Sequence, residues 1–119
     1  MDNVLLVTGG SRGIGAATAR LAARRGWAVA VNYAARPDAA EAVVREIQAG
    51  GGCALAVAAD VADEAQVLAM FERIDRELGR LTGLVNNAGV VDVSARVDEM
   101  SVARWRRLFD INVIGSMLC

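Results

Sequence analysis

The sequence of 119 residues contains no histidine and no lysine, so all 13 of its basic residues are arginine. It has a single tyrosine, Tyr33, a single proline, and few aromatic residues. The absence of histidine removes the most common general base and metal ligand. Proton transfer by a lysine or by a second tyrosine is excluded as well. These 119 residues are therefore poor in groups for acid–base catalysis and offer no sign of a metal site.

Long hydrophobic runs, a strong net charge and cysteine patterns are also missing. No apolar run has the length of a membrane span, and the N-terminus lacks the form of a signal peptide. A formal net charge of −1 argues against a general nucleic-acid binder. Cys53 and Cys119 form no CxxC pattern, which favours two reduced thiols over a disulfide or metal site. We expect a cytoplasmic protein with no membrane or nucleic-acid partner.

What is present is an alternation of short apolar runs with helical patterns, in a chain that is 55% hydrophobic. Such alternation predicts an α/β fold with parallel strands and right-handed crossovers. We predict a Rossmann-type doubly wound sheet in strand order 3-2-1-4. The predicted strands are Val4–Val7, Trp27–Val31, Cys53–Ala58 and a strand that begins at Leu84-Val85.

Four helices are predicted from apolar spacing and from residues typical of helix ends. The first follows the glycines with Ile14, Ala17, Leu21 and Ala22 at helical spacing, and the second runs from Pro37 to Gly50. The third begins with a capping box of Asp63 and Gln66, and its inward face is predicted to hold Val67, Met70, Phe71, Ile74 and Leu78. Ser101 caps the fourth, which contains Trp105, Leu108, Phe109, Asn112 and Val113.

The glycines Gly9, Gly13 and Gly15 lie between the first strand and the first helix. At that place a bare backbone allows a sharp turn and brings a helix N-terminus to the carboxyl edge of the sheet. Such an N-terminus suits a pyrophosphate, although glycines there can also serve only as a βα turn. The spacing is neither GxGxxG nor a P-loop, since no Lys-Ser or Lys-Thr follows.

Four motifs together resemble the short-chain dehydrogenase/reductase family. Thr8–Gly15 resembles its TGxxxGIG motif, Asp60-Val61 its acidic adenine position, Asn86–Gly89 its NNAG motif, and Asn112 its helix asparagine. The resemblance covers the whole chain and is greatest to 3-oxoacyl-carrier-protein reductases and sugar dehydrogenases. It implies that residues 1–119 are the N-terminal part of a single dinucleotide-binding domain, without a metal site.

The resemblance implies one catalytic residue, Asn112, which would hold a water in the proton relay. Fourteen residues are expected to bind the cofactor: Gly9, Ser11, Arg12, Gly13, Ile14, Gly15, Asn32, Tyr33, Arg36, Asp60, Val61, Asn87, Ala88 and Gly89. Simpler interpretations remain open for several of them. Asp60 also suits a solvated turn or a helix cap, NNAG an ordinary turn, and Asn112 a satisfied buried amide.

The second strand predicts NADP rather than NAD as the cofactor. An enzyme that prefers NAD usually places a carboxylate near the end of this strand, where it binds the ribose 2′-hydroxyl. Here no acid follows until Asp38, while Arg12 and Arg36 can offer positive charge to a 2′-phosphate. Each arginine also suits a solvated surface position, Arg36 more so than Arg12.

The family transfers a hydride between nicotinamide and a carbonyl or alcohol carbon, using a serine, a tyrosine and a lysine. We expect these groups to lie beyond residue 119, in a longer NADP-dependent reductase, and residues 1–119 alone to be inactive. The implied substrate is a small carbonyl or alcohol, and the complete protein is expected to form a homodimer or homotetramer. The alternatives are a dinucleotide-binding module without catalysis and, with much less support, a methyltransferase that uses S-adenosylmethionine.

Overall fold

The computed structural model describes residues 3–119, and the first two residues of the predicted domain lie outside them. Four strands alternate with helices in the predicted order. The strands are β1 (Val4–Val7), β2 (Ala28–Tyr33), β3 (Ala54–Ala58) and β4 (Gly83–Val85). The helices are α1 (Gly13–Arg24), α2 (Pro37–Ala49), α3 (Glu64–Glu77), α4 (Val102–Phe109) and α5 (Gly115–Leu118). A 3₁₀ turn spans Val97–Glu99, and a π-helical turn spans Asp110–Ile114.

The four strands form one parallel sheet in the order β3-β2-β1-β4, which confirms the predicted topology. β1 is buried at all four positions, because helices cover the sheet on both faces. The carboxyl ends of the strands therefore meet at one edge, where the residues that follow β1, β2, β3 and β4 come together.

Two hydrophobic clusters hold the helices on the sheet. One cluster packs α1 and α2 against one face, with Val29, Val31 and Val43 at its centre. The other packs α3 against the opposite face through Met70 and Ile74. The inward face predicted for α3 is confirmed, since Val67, Met70 and Ile74 are buried and Phe71 and Leu78 are half-buried.

The structure corrects two predictions about the helices. The first concerns α1, where Ile14, Ala17 and Leu21 are exposed and the buried positions are Gly15, Ala16 and Ala19. The smallest side chains face the sheet because α1 lies so close to it that larger ones would not fit.

The second correction concerns the last predicted helix, which is divided into α4, the π turn and α5. The π turn contains Asn112 and inserts a wider turn where the spacing alone predicts a continuous α-helix. None of the residues of α4 is buried.

Candidate functional site

An open cleft with a volume of about 620 Å³ lies at the carboxyl edge of the sheet. The segments after all four strands contribute to it, and α4 and the π turn form a further wall. Its lining residues are Gly9, Ser11, Arg12, Gly13, Asn32, Tyr33, Ala34, Ala35, Arg36, Ala59, Asp60, Val61, Asn87, Ala88, Gly89, Val90, Arg107 and Ile111. A second cavity of about 190 Å³ lies between α1 and α2, away from these segments.

The glycine loop reaches into this cleft in a conformation that requires glycine at two positions. Gly9 and Gly13 have φ values of +61° and +58°, which other L-residues rarely adopt. A Cβ on Gly9 would also approach Ala88 Cα to 3.0 Å. The loop therefore turns sharply and lies directly against the segment that follows β4.

Gly15 permits the close packing behind the loop. A Cβ on this residue would lie 2.4 Å from the carbonyl oxygen of Gly9 and 2.5 Å from Nδ2 of Asn87. The first turn of α1 can therefore approach the loop only if position 15 carries no side chain.

α1 begins at the edge of the cleft, which Gly13 lines, and it begins without a side-chain cap. Its N-cap residue, Arg12, makes no side-chain capping hydrogen bond, and the first turn contains no acidic residue. Asp63 caps α3 and Ser101 caps α4, whereas α2 resembles α1 in beginning without a side-chain cap, at Arg36. An uncapped helix start with partial positive charge is suited to an anionic group.

Two buried side chains fix the loop in place. Asn32 is only 2% exposed, and its Oδ1 accepts a hydrogen bond of 3.1 Å from the Gly9 amide. Its Nδ2 donates to the carbonyl oxygens of Ala59 and Val57, at 3.1 and 3.3 Å. Thr8 is 1% exposed, and its Oγ1 accepts from the backbone amides of both Asn87 and Ala88, at 3.0 Å each.

Asn87 completes this framework from the β4 side. Its Nδ2 donates to the carbonyl oxygens of Thr8 and Gly9, at 3.0 and 2.9 Å. The side-chain amide of Asn87 therefore joins the end of β4 to the end of β1. Asn86 instead donates to the carbonyl oxygen of Ser116 at 3.3 Å and so contacts α5.

The end of β2 carries positive charge and no carboxylate before Asp38. Within residues 3–119, Arg12 makes no ion pair, and Arg36 has one contact of 3.7 Å with Asp38. Both partners of that contact are well exposed, so it contributes little and leaves the guanidinium free to bind elsewhere.

Asp60 and Val61 occupy the wall beyond β3. Oδ1 of Asp60 accepts a 2.9 Å hydrogen bond from the Ala62 amide in a local turn, so the turn interpretation holds for that oxygen. Among the described residues its Oδ2 makes no hydrogen bond and remains able to accept one. Val61 is buried against Gly115, where a Cβ would lie 2.7 Å from Val61 Cγ2.

Asn112 projects from the π turn to the segment after β4. Its Oδ1 accepts from the Val90 amide and its Nδ2 donates to the Val90 carbonyl oxygen, both at 2.8 Å. The amide is satisfied but exposed, so the alternative of a satisfied amide is correct and its burial is not. This pair holds Val90 in the wall of the cleft.

Asp92 and Arg104 hold the same segment further along. Arg104 donates its Nε to Asp92 at 2.8 Å and a terminal nitrogen to the Val93 carbonyl oxygen at 2.7 Å. The hydrogen bond from Arg104 lowers the pKa of Asp92 below its ordinary value, and the Val93 amide and the charge of Arg107 lower it further. Asp92 therefore stays ionised and keeps its hold on α4 at neutral pH.

Comparison with known proteins identifies the family. The sequence model of the family described as "short chain dehydrogenase" matches residues 3–119 of this chain. The chain belongs to the short chain dehydrogenase family.

Relatives agree with that assignment along the whole chain. The chain is 47% identical over 116 residues to "Uncharacterized oxidoreductase YgfF" of Escherichia coli, covering 98% of this chain and 47% of that protein. It is 44% identical over 116 residues to a 3-oxoacyl-[acyl-carrier-protein] reductase of Synechocystis, covering 98% of this chain and 47% of that protein. A Serratia marcescens short-chain dehydrogenase/reductase structure has a TM-score of 0.93 at 39% identity, covering 99% of this chain and 48% of that chain. The chain spans about half the length of the curated relatives it matches.

The cleft brings together twelve of the fourteen residues expected at the cofactor. Ile14 and Gly15 do not line it, since Ile14 is 80% exposed and Gly15 packs behind the loop. Asn112 does not line it either and reaches it only through Val90. For all fifteen predicted residues, a role in binding or catalysis stays a prediction.

Six lining residues were not predicted: Ala34, Ala35, Ala59, Val90, Arg107 and Ile111. The first four lie next to predicted residues in the chain, so their proximity to a strand end was a usable signal. Arg107 and Ile111 lie on a helix whose approach to the cleft depends on Gly115 and the π turn. No sequence pattern indicates that approach.

The described residues fit a dinucleotide cofactor of the kind used by this family. Gly13, the first residue of the uncapped α1, lines the cleft, and a Cβ there would meet no atom within 4 Å, so the start of the helix borders open space that suits a phosphate. In residues 3–119 no group of three or more His, Cys, Asp or Glu side chains is placed to hold a metal ion. Over the same part of the chain, no helix has the length and apolar character needed to span a membrane.

Proposed function

We propose that this chain is the cofactor-binding part of an NADP-dependent oxidoreductase that acts on a small carbonyl or alcohol substrate. One observation supports this most. The cleft combines an uncapped helix start with two arginines, and no carboxylate stands at the end of β2. Such an edge favours an anionic dinucleotide, and the missing carboxylate removes the group that would repel a 2′-phosphate.

In this proposal each part of the cofactor contacts a different part of the cleft. The amides at the start of α1 would bind the pyrophosphate, and Asn87–Gly89 would line the ribose. The free Oδ2 of Asp60 would accept a hydrogen bond from the adenine amine. When bound, the cofactor supplies the hydride chemistry, while this chain binds it, orients it and shields it on one side.

Arg12 is the stronger of the two candidates for the 2′-phosphate. It stands in the glycine loop beside the end of β2 and makes no ion pair within residues 3–119. Arg36 lies nearby and is exposed like Arg12; it differs only in its weak 3.7 Å contact with Asp38 and in its position outside the glycine loop. A guanidinium binds phosphate in a forked geometry, which makes the arginine a selective contact.

The test is to titrate NADP and NAD against the unsubstituted protein and Arg12→Ala at fixed salt. Loss of a charged hydrogen bond should weaken NADP binding by about 1.5–3 kcal/mol and NAD binding by much less. Arg25→Ala is the matched control, because it removes the same charge at the opposite, exposed end of α1. Equal losses for both cofactors would show that Arg12 does not bind the 2′-phosphate.

In this proposal the catalytic groups and the substrate site lie outside residues 1–119. Within them no lysine is present, and Tyr33 stands at the end of β2, on the wall proposed for the nucleotide. Asn112 acts as a positioning residue, because both polar atoms of its amide are engaged by Val90. The likeness to a 3-oxoacyl-[acyl-carrier-protein] reductase supports a 3-oxoacyl thioester as one substrate class, beside sugars.

A dinucleotide-binding module without catalysis is the second candidate. The observation in its favour is the same lack of lysine and of a second tyrosine in these 119 residues. It differs from the first proposal in predicting cofactor binding without hydride transfer by the complete gene product.

The further proposal of a homo-oligomer rests on the outer face of the last helical segment. Trp105, Phe109, Val113 and Met117 recur at intervals of four residues and are 37–80% exposed. An apolar stripe of this size on a helix is typical of a surface that a partner covers, and we propose a second copy of the complete protein. A cytoplasmic location stays a prediction.

A further inference from the structure

Arg107 is an arginine of the cleft that the proposed function has not yet used. It lies in the last turn of α4 and lines the cleft together with Ile111. Within residues 3–119 its side chain makes no ion pair, and it is exposed. The nearby Asp92 feels the charge of Arg107 but is bound by Arg104, so the guanidinium of Arg107 is available to a ligand.

The helix geometry places Arg107 above the wall formed by Asp60 and Val61. Arg107, Ile111 and Gly115 follow one another at intervals of four residues. Four residues make slightly more than one full turn of an α-helix and slightly less than one full turn of a π-helix. The two deviations offset each other, so the three residues stay on one face of the helical segment. Gly115 packs directly on Val61, and this contact turns the shared face toward the end of β3.

The chemistry of this wall suits a base better than a phosphate. Val61 and Ile111 are apolar, and the carboxylate of Asp60 would repel an anionic group. The groups suited to phosphates are the start of α1 and the arginines of the glycine loop and the β2 end. Arg107 therefore faces the part of the cleft where a flat, neutral ring fits between apolar side chains.

We propose that the guanidinium of Arg107 stacks on the adenine ring of the bound dinucleotide and closes the base site opposite Val61. The proposal rests on the proposed function, because it requires a dinucleotide in this cleft. A planar cation over an aromatic face gains both electrostatic and stacking energy. The contact is indifferent to the 2′-phosphate, so Arg107 contributes to NADP and NAD affinity alike, while Arg12 discriminates between them.

The test compares Arg107→Met with Arg106→Met in calorimetric titrations with NADP and NAD. Methionine keeps an unbranched chain of similar length but removes the charge and the planar group. Arg106 is its neighbour on α4, is exposed and does not line the cleft, so it controls for the loss of one positive charge. Thermal melts of both variants check that α4 stays folded.

We expect Arg107→Met to weaken NADP and NAD by the same factor, about threefold to tenfold, and Arg106→Met to change either by less than twofold. The factor for Arg107 should also persist when the salt concentration is raised. A loss confined to NADP would overturn the inference and assign Arg107 to the 2′-phosphate. No loss beyond that of Arg106→Met would overturn it as well.

The result also separates this inference from the function on which it rests. If the unsubstituted protein binds neither cofactor, the proposed function and the adenine contact both fail. If it binds NADP with the expected dependence on Arg12 while Arg107→Met behaves as the control, only the inference about Arg107 fails.

Discussion

Gly15 and Asn32 have different physical tasks at the cleft, although both were expected to bind the cofactor. Asn32 is buried in β2, where its side-chain amide accepts from the Gly9 amide of the loop and donates to carbonyl oxygens of β3 and of the residue after it. Because Gly15 has no side chain, the carbonyl oxygen of Gly9 and the side-chain amide of Asn87 can lie directly beside it. Both residues fix the shape of the loop, and the loop presents its neighbours to the cleft.

Gly15→Ala should destabilise the protein by about 1–3 kcal/mol and weaken dinucleotide binding. Alanine gains up to about 1 kcal/mol of helix propensity, but the new methyl would meet backbone and amide atoms at 2.4–2.5 Å. The clash outweighs the gain because the neighbours include backbone that is held by hydrogen bonds. Chemical denaturation measures the change.

Gly50→Ala is the control for this substitution. Gly50 has φ of −85°, and a Cβ on this residue would lie 3.6 Å or more from its nearest neighbours, so alanine fits without strain. We expect it to be neutral or to stabilise by about 0.4–1 kcal/mol. A Gly15→Ala protein as stable as Gly50→Ala would contradict the packing described for the loop.

At the scale of elements, the segment after β4 is held to the last helices by side-chain hydrogen bonds of Asn86, Asn112 and Arg104. Residues 86–96 contain no helix or strand, and yet they form one wall of the cleft. Asn112 binds Val90 from the π turn, and Arg104 binds Asp92 and Val93 from α4. The order of this wall therefore depends on the position of α4 and of the π turn.

Asn112→Ala should loosen this wall without unfolding the sheet. It removes two neutral hydrogen bonds at an exposed site, with a net effect of about 1 kcal/mol. Hydrogen exchange at the Val90 amide should then become about fivefold faster, while the amides of β1 keep their protection.

Asn86→Ala controls for the loss of an asparagine in the same region. Its side chain makes a single 3.3 Å hydrogen bond to Ser116 and does not contact Val90. We expect it to leave exchange at Val90 unchanged. If hydrogen exchange at Val90 is unchanged in Asn112→Ala, the hydrogen bonds between Asn112 and Val90 do not hold this wall in place.

At the scale of the whole molecule, residues 1–119 should bind NADP but not transfer a hydride. Their single tyrosine stands on the nucleotide wall, and they contain no lysine or histidine. Asn112 alone has no group with which to share a proton. The measurement is a spectrophotometric assay of NADPH oxidation with a panel of ketones and 3-oxoacyl thioesters.

The same preparation serves as its own control when cofactor binding is measured calorimetrically. Binding without turnover supports the proposal that the catalytic groups come from outside these residues. Turnover that depends on this polypeptide and persists after repurification would contradict it. An intact mass near 12.5 kDa confirms that the assayed chain has the stated length.

The sequence by itself determined the strand order, the inward face of α3, and the place of the cleft. These follow from local patterns, because apolar runs, glycines and caps act on residues close in the chain. The motif Thr8–Gly15 also indicated the family, which the comparisons then established. The inward face of α1 could not be predicted in this way, since the tight approach of Gly15 to Asn87 joins residues 72 positions apart.

Only the tertiary structure decided which helix forms the outer wall of the cleft. That wall depends on the π turn, on the packing of Gly115 against Val61, and on the hydrogen bonds between Asn112 and Val90. The last two are contacts between segments far apart in the sequence, and none of the three has a local signature. The hydrophobic pattern specifies that α4 is a helix, but packing at one glycine sets its direction and brings Arg107 to the cleft.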